Sequence, residues 1–130
     1  MLTKKTEVKP CKYGLGLFAA EAIKKDEIIW MLDPRFDRII QKHNLQQFDQ
    51  LTLDYLEKYA YTDAEDRLIL CVDSAKFINH SATENNLLDF IHPVFGSITT
   101  AKRNIEIGEE LTSNYEQFDS NFHLYKHLLT

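Results

Sequence analysis

The stretch Phe77-Ile78-Asn79-His80-Ser81 constrains this chain more than any other. Two apolar residues run straight into three small or polar ones, so a buried strand or tight turn must end by presenting an amide and an imidazole at the edge of a core. Alone, the stretch also fits a satisfied turn in which Asn79 caps or takes left-handed backbone. Two further landmarks must share its fold: the glycine-spaced loop Gly14-Leu15-Gly16 and the late run Gly108-Glu109-Glu110-Leu111-Thr112-Ser113-Asn114-Tyr115. All of this has to happen within 130 residues, which is one domain spanning 1–130, with one modest core and room for one compact site.

Composition narrows the function classes. A hydrophobic share of 44% with 27% charged residues describes a folded chain rather than a disordered one. The formal net charge of -5 argues against direct nucleic acid binding and suits a basic partner such as a Lys-rich protein segment. Cys11 and Cys71 form no CxxC pair, so no zinc knuckle is expected and a reducing compartment is the simplest setting. No stretch approaches the roughly 20 apolar residues of a membrane span. The expectation is an intracellular, soluble protein, cytoplasmic or nuclear, with no membrane partner.

Along the chain, residues 4–12 read as an edge strand or arm leading into the glycine loop. Residues 17–20 and 28–32 read as short strands joined by the charged turn 24–27. Over 36–61 the period changes, and Phe48, Leu51, Tyr55, Leu56 and Tyr59 recur at spacings of three and four, which predicts a helical insert with these residues on one face. Residues 68–72 form a β-prone run, 89–92 and 97–101 a hairpin around 93–96, and 105–109 a turn before a short strand at Leu111. Phe122, Tyr125 and Leu129 predict a terminal helix over 119–130, capped by Asp119 or Ser120. The fold class is α+β, mostly β.

Gly14-Leu15-Gly16-Leu17-Phe18-Ala19 formally satisfies a dinucleotide fingerprint, but Lys9-Pro10-Cys11-Lys12 cannot supply the buried strand such a site requires. His123 and His127 stand four apart with nothing nearby to complete a metal site. No Ser-His-Asp or Cys-His arrangement has identifying context, and Tyr115 alone would pass for a core tyrosine.

Taken in order, GLGLFA, FINHS and GEELTSNY resemble the SET domain of protein lysine methyltransferases from about Val8 to Tyr115, with 36–61 in that family's variable region. The resemblance implies small twisted β-sheets with a C-terminal pseudoknot that brings the FINHS and GEELTSNY stretches together. It implies S-adenosylmethionine as cofactor, held by the backbone of Tyr13, Gly14, Leu15 and Gly16, by Asn79 and by the backbone of His80. Tyr115 matches the active-site tyrosine, and Tyr61 or Tyr59 would supply a second tyrosine to the channel through which the target lysine enters. Methyl transfer to a protein lysine needs alignment and an uncharged amine, and no metal.

The family's Asn-His-Ser-Cys-x-Pro-Asn run is altered here. Asn85 is kept, while Ala82 and Glu84 replace the cysteine and proline, and no cysteine cluster follows Tyr115 to form a zinc-bound tail. Phe118, Phe122 and Tyr125 are the expected substitutes, with the helix over 119–130 closing over the adenine. A histone or another Lys-rich protein is the expected substrate. A noncatalytic SET-like peptide-binding module is the alternative, and monomer or homodimer stays open.

Overall fold

The structure, a computed structural model, describes residues 1–12, 14–63 and 65–114. Ten short strands carry most of it. Strands β1 (Thr6–Cys11) and β2 (Gly14–Ala19) form an antiparallel hairpin whose register pairs Cys11 with Gly14. Pro10, which cannot donate to a ladder, is tolerated because this sheet has only two strands and hence only edges. The Lys9–Lys12 segment therefore enters a turn and a second strand, not the strand-to-helix step of a dinucleotide fold.

Strand β3 (Ile28–Met31) does not pair with β2. It joins a three-stranded sheet in the order β3, β9, β8, where β8 (Leu87–His92) and β9 (Gly96–Ala101) are the expected hairpin. The register sets His92 opposite Gly96, leaving a three-residue connection, and Gly96 supplies the φ of +73° that closes it. The side chains of Leu17, Ile23, Ile29, Leu87, Ile105 and Leu111, each at most 2% exposed, form the core between this sheet and the hairpin.

The insert is less helical than its periodicity predicts. Arg38–Gln41 is a strand, β4, because Ile39 and Ile40 pair against Ile69 and Leu68 of β6 (Arg67–Leu70); β5 (Tyr61–Thr62) lies on the other side of β6. A 3₁₀ turn over Lys42–Gln47 precedes the one α-helix among the described residues, α1 (Gln50–Tyr59), capped by the Asp49 side chain accepting from the Thr52 N–H. The expected single apolar face is split. Leu56 is buried with Leu45 and Leu68 in a small second core, Leu51 is 80% exposed, and Tyr55 and Tyr59 stack on each other on a neighbouring face. With only ten residues, α1 turns one narrow stripe inward and leaves its tyrosines at the margin.

Among the described residues no helix is long and apolar enough to cross a membrane. The expected terminal helix over 119–130 lies outside them.

Candidate active site

Asp73 caps a 3₁₀ turn over Ser74–Phe77, after which the chain straightens into the two-residue strand β7 (Asn79–His80). Asn79 is not left-handed; among the described residues the non-glycine ones with positive φ are Asp26 and Asp66. β7 pairs in parallel with β10 (Thr112–Ser113), so residues more than thirty apart in sequence become neighbours. The segment before β10 is held on its other side by β2. Ala19 N–H donates to Glu109 O, Gly108 N–H to Ala19 O, and Leu111 N–H to Leu17 O, each at 2.8 or 2.9 Å. The GEEL run is thus clamped between the glycine hairpin and the Asn-His strand, and all three landmarks meet at one crossing.

Asn79 fastens that crossing. Its Nδ2 donates to Glu110 Oε2 at 2.9 Å and to Leu15 O at 3.1 Å, with Cys11 Sγ at 3.4 Å. Its Oδ1 accepts from no described residue. Gly16 packs beneath: a Cβ there would stand 2.7 Å from Glu110 Oε2 and 3.2 Å from Asn79 Nδ2. Gly14, by contrast, faces open space and takes a φ of +108°.

A residue not singled out by sequence does as much work. Asn86, 2% exposed, accepts the Thr112 N–H on Oδ1, donates from Nδ2 to Glu110 O, and donates its backbone N–H to Thr112 O. Asn85 instead donates a half-buried bond to Ser81 O and accepts an exposed one from the Lys102 ammonium. The motif spacing singles out Asn85 in sequence, yet it is the neighbouring Asn86, just before β8, whose side chain is buried and bonded on both polar atoms.

Two hollows flank the crossing. One, about 240 Å³, is lined by Lys12, His80, Ser81, Glu84, Glu110 and Thr112. The other, about 50 Å³, is lined on its aromatic side by Trp30, Tyr59 and Tyr61 and on its polar side by Asp89, Thr99 and Ser113. Both candidate channel tyrosines therefore reach one cavity, but differently. Tyr61 packs edge-on against Trp30, 6.4 Å between ring centres, and burial, reinforced by the charges of nearby acidic groups, holds its phenol well above the ordinary range. Tyr59 stands against Tyr55 and Phe77, and its hydroxyl makes no hydrogen bond among the described residues.

Tyr13, Tyr115 and Phe122 lie outside the described residues, as do Phe118, Tyr125, His123 and His127. Among the described residues, no three His, Cys, Asp or Glu side chains gather closely enough to hold a metal ion.

Comparison with known proteins gives this arrangement a place. No curated protein is similar enough in sequence to count as a relative. Among solved structures, a candidate histone methyltransferase from Plasmodium falciparum is 25% identical with a TM-score of 0.63, the match covering 88% of this chain and 95% of that one. A Chaetomium thermophilum Polycomb Repressive Complex 2 chain bound to S-adenosylmethionine is 22% identical with a TM-score of 0.68 over 95% of this chain. The same complex bound to GSK126 gives 22% and 0.70 over 95%. This chain spans 16% and 17% of those two, so they share a fold with part of a much larger protein. Residues 14–116 match the family described as SET domain, a range that contains the hairpin glycines, Asn79, His80 and the clamped GEEL run. The chain belongs to the SET domain family.

Proposed function

We propose that this chain transfers a methyl group from S-adenosylmethionine to the side-chain amine of a lysine in a protein. The observation that carries this reading is the parallel β7–β10 pair, which sets Asn79 against the glycine hairpin with one hollow on each side.

The residues present fit the cofactor. Asn79 is locked through Nδ2, leaving its Oδ1 as an acceptor for an ammonium, and the exposed backbone at Gly14 can be approached without a Cβ in the way. Asn79, the backbone of His80, the Tyr13–Gly16 loop and Phe122 would hold S-adenosylmethionine. When bound, it supplies an electrophilic methyl on a sulfonium.

The rest falls to the chain's own side chains. The cavity has room for the end of the lysine side chain to enter amine-first. Tyr59, whose hydroxyl has no hydrogen-bond partner among the described residues, meets the amine; Tyr61 forms the wall behind it; Tyr115 orients the nitrogen lone pair. This is catalysis by alignment, which is worth several kcal/mol when reacting atoms are held near contact distance. The net charge of -5 supports a basic substrate such as a histone or another Lys-rich protein.

The test incubates purified protein with methyl-labelled S-adenosylmethionine and a panel of Lys-rich proteins, beside Tyr115→Phe, with cofactor affinity measured in both. Label transferred by the parent and lost in Tyr115→Phe, at retained affinity, is the expected result. Cofactor binding without transfer to any panel member favours a peptide-binding module, and absence of binding sinks the reading.

A further inference from the structure

The 50 Å³ cavity holds a group that alignment alone does not use. Asp89 sits on β8 directly opposite Thr99 of β9, accepts the Thr99 hydroxyl, and is faced by the hydroxyl of Ser113 on β10. Ser113 is in turn the register partner of His80, so the carboxyl lies one hydrogen bond from the crossing. Trp30 lines the same cavity, and its indole Nε1, in a residue only 3% exposed, has no hydrogen-bond partner among the described residues. An orphaned buried N–H calls for a partner, such as a ligand atom or an ordered water.

Resting on the lysine-transfer reading above, we propose that the Asp89 carboxylate takes the proton from the incoming lysine ammonium. One N–H bond breaks and one O–H bond forms: R-NH3⁺ and carboxylate become R-NH2 and carboxylic acid. The nitrogen lone pair is freed and no net charge is created in the cavity. The volume suits this role, being room for the end of an alkylammonium chain or a few waters.

A purely structural tie between β8, β9 and β10 would not need an acid. A neutral amide could accept from both hydroxyls without the cost of desolvating a charge. Burial pushes the Asp89 carboxyl above the ordinary carboxylate range despite the two hydroxyl donors that pull it down, and so makes it a stronger base than an exposed aspartate. The other groups facing it are Tyr61 of β5, Cys71 beyond β6, Lys58 of α1 and Lys76 of the 3₁₀ turn. Burial raises the Tyr61 phenol and the Cys71 thiol, so both stay neutral when Asp89 titrates. The two lysines are held by rings, Lys58 over Tyr59 and Lys76 over Tyr55 and Phe77.

Two measurements on the full chain decide it. With carbon-13-labelled aspartate, n-butylammonium is titrated in and the Asp89 carboxyl resonance followed against pH. A saturable shift, with the apparent pKa lowered by the added cation, is expected; a resonance indifferent to the amine overturns the placement. Second, kcat/KM against pH is measured on whichever panel protein accepts label. The carboxylate is the active form, so the rate should fall as pH drops through the Asp89 pKa. Asp89→Asn should lose that acid limb and about 100-fold in rate. Thr99→Val, which removes a donor to the carboxylate, should move the limb to higher pH while keeping it. An acid limb unmoved in both variants overturns the proton transfer and leaves the lysine-transfer reading intact. A parent that transfers no label instead fails that reading, and the amine titration still decides whether Asp89 faces the cavity's ligand.

Discussion

At Gly16 the requirement is for absence. A methyl there would enter the Asn79–Glu110 contact, and the softest response is for the Glu110 carboxylate to withdraw, freeing the Asn79 amide to turn. Gly16→Ala should therefore cost about 1.5–3 kcal/mol of S-adenosylmethionine affinity, the worth of a hydrogen bond to a charged group, read by calorimetry as a loss of roughly 10- to 100-fold. An affinity unchanged would mean that Asn79 does not position the cofactor. Asn79 was legible in sequence because an amide directly after two apolar residues is out of place. Asp89 was not. On β8 the apolar alternation Leu88, Phe90 predicts those two inward and Asp89 outward, yet Leu88 and Phe90 are 43% and 40% exposed while Asp89 shares the inward phase of Leu87. Where a strand turns its charge inward and its hydrophobics outward, pattern reading fails, and such failures concentrate at sites with a task beyond packing.

Among the elements, β10 is the most dependent on others. Two residues of parallel ladder hold little by themselves, and the Asn86 side chain supplies what the ladder lacks. Asn86→Ala would strand the Thr112 N–H and remove a donor from Glu110 O, each worth about 1–3 kcal/mol when buried. The expected fall in Tm is roughly 8–20 °C in a thermal melt. Asn85→Ala, losing one half-buried and one exposed bond, should move it by less than half as much. Equal falls would show that the buried bonds of Asn86 hold no more than the outer ones of Asn85. The insert illustrates the converse limit. Ile39 and Ile40 fit a helical window as well as a strand, and only the waiting edge of β6 decides between them. The hairpin over β8 and β9 needed no such help, because its turn and both strands are contiguous.

For the whole molecule, the order of the three motifs conveyed the fold more fully than any periodicity did, since each short strand is ambiguous alone and their meeting point is not. The molecule's response to pH carries the mark of that meeting point. Asp89 has a folded pKa above its unfolded value, so the native state holds its proton more tightly. Its contribution to stability is fully present below the ordinary carboxylate range and is lost as pH rises through the raised value. Asp89→Asn removes this dependence. The Tm of Asp89→Asn minus that of the parent should thus be more positive at neutral pH than in acid, and a difference constant across pH would contradict the raised carboxyl.

The parallel pairing of residues 79–80 with 112–113 also has a consequence in time. A ribosome delivers Phe77–Ser81 long before Thr112, so for some thirty residues of synthesis the nascent chain holds Asn79 without Glu110, without the β10 ladder and without Asn86's partners. Everything that makes the crossing a site arrives with the last strand. A prematurely terminated product can build hairpins, but it cannot present the amide, and the crossing is completed in one late step rather than accumulated along the way.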